Sequence, residues 1–178
     1  MDWTVLFMGA LIMELIFRKI DLDRDKEYVL ECHCRVNYEC DTPWARTVPY
    51  AQYRDSWFAL GAQAAEFTAA LLDSMEDERT LAVIIDNDRG ERIGCFWVSF
   101  HEDRDTGFRF ADVQDLYIEE SFRRAGIASQ LLSMAEDQAK ANGAKVIRSG
   151  TGCENAKSIG LHEKMGYYTY RYEFEKVL

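Results

Sequence analysis

Two arginines and a glycine stand together in the stretch Asp115-Leu-Tyr-Ile-Glu-Glu-Ser-Phe-Arg123-Arg124-Ala125-Gly126-Ile127-Ala128. The pattern reads as a strand, a short loop and the start of a long helix. The first turn of a helix has backbone N–H groups without intrahelical partners and carries the positive end of the helix dipole, so it suits an anion. Gly126 lets the backbone approach a bulky anion where a Cβ would stand in the way. Arg123 and Arg124 add positive charge. The anion that fits this arrangement is a pyrophosphate. Neither G-x-x-x-x-G-K-[ST] nor G-x-G-x-x-G occurs, which argues against a nucleoside triphosphatase and against a dinucleotide fold.

The spacing Arg123-x-x-Gly126-x-Ala128 after a strand resembles the acyl-coenzyme-A-binding motif Q/R-x-x-G-x-G/A of the GNAT N-acetyltransferase superfamily. A second segment, Asn155-Ala-Lys-Ser158-Ile-Gly-Leu161-His162-Glu-Lys-Met-Gly166-Tyr167, is similar to the family's later N-x-x-A-x-x-L-Y-x-x-x-G-F. The two motifs occur in the family's order and spacing. The resemblance is strong from Asp112 to Tyr168 and extends more faintly back to about Leu81. It implies an α+β fold, a mixed α/β sandwich. The expected sheet is mixed and mostly antiparallel, flanked by helices, and splayed between the family's fourth and fifth strands to admit the pantetheine arm. The implied activity is transfer of an acetyl group from acetyl-CoA to a primary amine of a small molecule or peptide, by direct attack in a ternary complex. A non-catalytic acyl-CoA-binding sensor is the alternative.

By the same resemblance, backbone groups of Leu116, Tyr117 and Ile118 hold the pantetheine and polarise the thioester. Those of Arg124, Ala125, Gly126, Ile127 and Ala128 cradle the pyrophosphate, with Arg123 beside them. Asn155 either contacts the coenzyme arm or caps the helix that follows it. The family often places a tyrosine where this chain has His162. A histidine titrates near neutrality and can protonate a leaving thiolate; otherwise the role is lost or passes to Tyr167 or Tyr168. The base that takes the amine proton is sought at Asp112 or Asp115, which alternation along a strand puts on opposite faces. Cys153 suggests a covalent relay, but no activating partner is recognisable beside it.

Composition bounds these readings. A chain of 178 residues can bury a sizeable core. With 21 Lys and Arg against 31 Asp and Glu its formal net charge is −10, which disfavours nucleic-acid binding and favours cationic amines. Five cysteines, an odd number, suit reduced thiols and a cytoplasmic location. Cys32-His33-Cys34 with Cys40 tempts a metal reading. On a helix, however, residues two apart point roughly 200° apart, so buried thiols and no metal are expected. Trp3–Phe17 is apolar but shorter than the roughly 20 residues that span a bilayer, and it lacks the marks of a signal peptide. One reading makes residues 1–12 an extension, with a single GNAT-like domain over 13–178. The other makes them an apolar element packed on the core or, in a homodimer, on a second subunit. No membrane partner is expected.

Strands are expected over Leu15–Ile20, Thr80–Ile85, Arg92–Phe100, Phe108–Ile118, Lys145–Ser149 and Tyr167–Phe174. Helices are expected from Asp23 or Asp25 to about Tyr38, over Ser56–Met75, Ile127–Ala141 and Ala156–Met165. The loops around Cys40–Phe58, with Trp44, Tyr50, Tyr53, Trp57 and Phe58, would either wall an acceptor pocket or fill the core.

Overall fold

The computed structural model describes residues 3–8, 12–40 and 43–176. Six strands form one sheet, side by side in chain order: β1 (Trp3–Met8), β2 (Ile12–Lys19), β3 (Leu81–Asn87), β4 (Arg92–Glu102), β5 (Arg109–Ile118) and β6 (Val146–Ser149). All neighbours are antiparallel except β5 and β6. That parallel pair needs a crossover, which helix α4 (Ile127–Ala141) supplies. Helices α1 (Leu22–Cys40), α2 (Tyr50–Leu60) and α3 (Ala62–Met75) lie between β2 and β3 in the chain, and α5 (Ala156–Lys164) follows β6. The fold is the mixed, mostly antiparallel α+β sandwich that the resemblance implies.

Both faces of the central strands are covered, so β3 and β4 read as nearly unbroken apolar runs. Val83, Ile85, Phe96 and Val98 face α4, with its Ile127, Leu131 and Ala135. Ala82, Ile84, Cys95 and Trp97 face the other way, toward Val29 and Cys32 of α1, Trp57 of α2, and Phe67 and Leu71 of α3. Each face carries its own core, and the sheet lies between them.

Several elements depart from the sequence expectations for local reasons. The helix expected over Ser56–Met75 starts at Tyr50 and breaks at Gly61, whose φ is 68°. The cap of α1 is Asp21, whose Oδ1 accepts from the amide of Asp23 at 3.1 Å. The first expected strand begins at Ile12, so the expected boundary at Met13 falls within β2, and Trp3–Met8 pairs along its outer side. Residues 1, 2 and 9–11 of the expected extension lie outside the described residues. The strand expected over Tyr167–Phe174 does not form: these residues join no ladder, and residues 168–174 are exposed. Tyr170 reaches the guanidinium of Arg148 on β6, 5.4 Å from its ring centre. β6, at four residues, offers little length to pair with.

One ionic cluster ties α1 to the sheet. Arg18 on β2 donates to both oxygens of Asp25 on α1, at 2.6 and 3.0 Å, and to Asp86 on β3 at 2.7 Å. Asp25 is fully buried. Burial works against its charge, but the bonds from Arg18 and from the Asp21 amide outweigh it and hold its pKa below the ordinary value. A depressed folded pKa stabilises the fold fully above the ordinary carboxylate range, and the stabilisation disappears as pH falls through the folded pKa. Asp25→Asn is therefore expected to cost about 3 kcal/mol in urea unfolding at pH 7 and less at pH 3. An equal loss at both pH values would show that the charge of Asp25 is not the stabilising element.

Candidate functional site

After β5, a turn of 3-10 helix (Glu120–Phe122) leads into an exposed loop that ends at the start of α4. Arg124 sits in the left-handed region at φ 65°, and Gly126 at φ 94°. A non-glycine residue there costs on the order of 1 kcal/mol. The return is a run of outward amides: the N–H groups of Arg124, Ala125, Gly126, Ile127, Ala128 and Ser129 make no hydrogen bond among the described residues. Free donors at a helix N-terminus are the arrangement that suits an anion.

The two arginines behave differently. Arg124 is exposed and has no partner among the described residues. Arg123 folds back over the Tyr117 ring, 5.4 Å from its centre. Its Nε donates to the Ile118 carbonyl at 2.7 Å, and its Nη1 pairs with Glu39 of α1 at 3.3 Å. Its guanidinium is thus engaged by the end of β5 and by α1.

Beside the cradle the sheet opens. β5 and β6 pair only over Phe110–Val113 and Val146–Ser149. From Asp115 to Ile118, β5 has a partner on its β4 side alone among the described residues. The backbone of Leu116, Tyr117 and Ile118 therefore borders a free edge a few residues before the cradle. At the same point the register between β4 and β5 slips, so that Gln114 is an extra residue between Val113 and Asp115. This bulge corrects the alternation argument. Gln114 donates to Ser99, Asp112 lies 3.5 Å from His101, and Asp115 meets His33 of α1. The inserted residue turns Asp112 and Asp115 to one face, a known use of bulges.

Asp115 is 3% exposed. Its Oδ2 lies 2.9 Å from His33 Nδ1, and its Oδ1 is buried without a partner. A carboxylate only accepts, so Nδ1 carries the hydrogen, and the Asn37 amide donates to Nε2 at 3.2 Å. The imidazole stacks on Phe67 at 4.0 Å and meets the edge of Trp57. Sequence reasoning noticed His33 only as a neighbour of cysteines. The signal that could have found it is the His33–Asn37 spacing of four, which puts both on one helix face.

On α5, Asn155 caps the helix: its Oδ1 accepts from the Ser158 amide at 3.2 Å. His162 Nδ1 lies 2.7 Å from the Ser158 carbonyl and so carries the hydrogen. Nε2 is left buried without a partner. The ring of Tyr167 stands edge-on to His162 at 5.2 Å. Burial first, and then the charge of Glu136, push the Tyr167 pKa up to about 12. Tyr168 is 80% exposed and bonds to nothing among the described residues.

Across the opening, the C-terminal end of α1 touches the loop before α5. Cys40 Sγ lies 3.5 Å from Thr151 Oγ1 and 3.6 Å from Asn155 Nδ2. Arg46 joins Glu154, and a Cβ on Gly152 would stand 2.6 Å from the Cys40 carbonyl oxygen. Of the aromatics considered for an acceptor pocket, Tyr53 and Trp57 fill the core, whereas Trp44 is exposed. Other thiols nearby are quiet. Burial pushes the Cys34 pKa up, and a hydrogen bond with Cys32 together with burial does so for Cys95.

An amide cradle next to a free strand edge, with polar side chains behind it, suits an acyl carrier that has a diphosphate and an amide-rich arm. Residues 42–167 match the acetyltransferase (GNAT) family. This chain belongs to that family. It is similar to an uncharacterized N-acetyltransferase of Methanocaldococcus jannaschii, 27% identical over 73 residues, which are 41% of this chain and 30% of that protein. The match thus spans less than a third of the relative's length. Among solved structures, a putative acetyl transferase from Pyrococcus furiosus superposes with a TM-score of 0.63 at 23% identity, covering 91% of this chain and 99% of the other. AAC(6')-Iy in complex with the bisubstrate analogue CoA-S-monomethyl-acetylneamine gives 0.54 at 18% identity, covering 92% and 98%. At these identities the structural likeness speaks to the fold.

The close approach at Gly152 has a direct test. Gly152→Ala is expected to lower the urea midpoint by the equivalent of about 1–3 kcal/mol with an unchanged slope, because Cys40 contributes backbone there and cannot swing aside. No change in midpoint would mean that α1 and the α5 loop are not in contact in solution.

Proposed function

We propose that this chain is an N-acyltransferase that moves an acetyl group from acetyl-CoA to a primary amine of a small molecule or peptide, by direct attack. The observation that carries the reading is the run of six unpartnered amides at the start of α4, beside the free edge of β5. Amides 124–128 suit the pyrophosphate, and Arg124 adds a free charge. The edge at Leu116, Tyr117 and Ile118 suits the pantetheine arm and the thioester carbonyl. Arg123 supports the loop by holding it to Ile118 and Glu39, and Asn155 supports it by fixing α5. AAC(6')-Iy, on the same fold, is in complex with the bisubstrate analogue CoA-S-monomethyl-acetylneamine, which supports an amine acceptor here.

For the leaving thiolate, His162 is the candidate donor. With Nδ1–H held by the Ser158 carbonyl, Nε2 is the atom that exchanges a proton, and only the imidazolium can donate from it. Tyr167, protonated throughout the neutral range, is the second candidate. The exposure of Tyr168 leaves it the weakest of the three. Asp115 stands next to the thioester segment on the acceptor side, and the acidic chain favours cationic acceptors.

Thiol release from acetyl-CoA against a panel of amines tests the reading. Turnover with at least one amine is expected. Coenzyme binding with no release on any amine would be the behaviour of a sensor. Gly126→Val is expected to weaken CoA binding tenfold or more in calorimetry, because a branched side chain neither adopts φ 94° readily nor leaves room at the cradle. Native affinity in that variant would remove the pyrophosphate from the loop. His162→Ala is expected to lower kcat about tenfold or more and to change the pH profile. An unchanged pH profile would rule His162 out as the acid.

A further inference from the structure

Resting on the acyl-transfer reading, we propose that His33 is the group that takes the proton from the acceptor amine, with Asp115 positioning it from behind. Strand position points to Asp115 as the base, yet the geometry argues against direct action. Asp115 is 3% exposed, and its Oδ2 is covered by the His33 ring, whose side chain is 20% exposed. A substrate reaching this face of the sheet meets the imidazole before the carboxylate.

The location fits the chemistry. Asp115 is the residue before Leu116, at the point where β5 loses its β6 neighbour. Helix α4 packs on one face of the sheet, and Asp115 and His33 meet on the other, the face of α1. His33 lies on that helix, pointing at that strand position. Its ring meets Phe67 of α3, Trp57 of α2, Asn37 of its own helix and Asp115 of β5. Among the described residues, Asp115 is the charged group bonded to it.

The bonding pattern prepares the ring for this task. Asp115 fixes the hydrogen on Nδ1, so the Nε2 lone pair is the basic one, the logic by which a buried carboxylate orients a catalytic histidine. The Asn37 amide N–H rests on that lone pair at 3.2 Å, where an amine N–H would take its place. Asp115 then stabilises the imidazolium as it forms.

In the step itself, the neutral amine nitrogen bonds to the acyl carbon as the carbon–sulfur bond breaks. The surplus N–H proton passes to His33 Nε2, and the sulfur leaves with the bonding pair and takes a proton at the far side of the cleft. The products are the amide and the free thiol of coenzyme A. His33 returns its proton to solvent, and no other reactant is needed.

His33→Asn is the discriminating variant, because its amide can still donate to Asp115 but has no basic nitrogen. With the amine that the native protein turns over fastest, kcat at pH 7 is expected to fall a hundredfold or more, with CoA affinity and circular dichroism unchanged. One ionisation should vanish from the pH profile, and activity should recover as pH approaches the pKa of the free amine. Asp115→Asn should also depress kcat while moving the remaining ionisation to lower pH. Native kcat and pH profile in His33→Asn would overturn the proposal while leaving acyl transfer intact. Failure of the native protein on every amine would overturn it together with the reading beneath it. Independently of turnover, nitrogen NMR of the native protein should find the hydrogen of neutral His33 on Nδ1, and the opposite tautomer would also overturn the assignment.

Discussion

Strands β5 and β6 share a ladder of four residues and then separate, and nearly everything at the site follows from that limit. β6 ends at Ser149, while β5 continues to Ile118. A strand with one neighbour keeps half of its backbone groups free, which is normally a hazard at a sheet edge. Here the free stretch runs straight into the loop whose amides are also free. The bulge at Gln114 falls at the same place and brings Asp112 and Asp115 to one face, where Asp115 meets α1. Backbone donors, a free edge and polar side chains are thus gathered by one interruption in the sheet.

Most of what depends on neighbours in sequence was legible. The start of α4, the glycine before it and the hairpin of β3 and β4 follow from spacing and turn residues, and they stand where expected. What escaped depends on distant partners. Arg123 reads as a free cation until Glu39, 84 residues away, comes within reach of it. His33 acquires a purpose only through Asp115, 82 residues along the chain. The bulge at Gln114 is a property of the pairing with β4, so strict alternation misplaced Asp112 relative to Asp115. The last expected strand had the right period of two, visible in the exposed Tyr168, Tyr170, Tyr172 and Phe174, but period alone supplies no ladder.

The local compromises of this chain are not scattered. Among the described residues, the buried polar side-chain atoms without partners are Trp57 Nε1, Asp115 Oδ1, His162 Nε2 and Tyr167 Oη. Three of these belong to the residues proposed for proton handling, and the strained backbone of Arg124 lies in the adjoining loop. Rules of satisfaction and unstrained backbone are commonly broken where function requires it. The cluster at Asp25 does the opposite work, with a fully bonded buried carboxylate fastening α1 to the sheet. The same helix is anchored at its beginning and carries His33, the partner of Asp115, further along.

Two partly exposed ion pairs lie at the far end of α1: Glu39 of the helix with Arg123, and Arg46, which also donates to the Glu39 carbonyl, with Glu154. Such pairs contribute little in water and weaken as dissolved electrolyte shortens the reach of charge, to about 8 Å at physiological strength. The collar they make around the opening is therefore loosest in brine and firmest in dilute buffer. Its tightness is set by the ions of the surrounding medium, whereas the apolar cores on either side of the sheet do not depend on them.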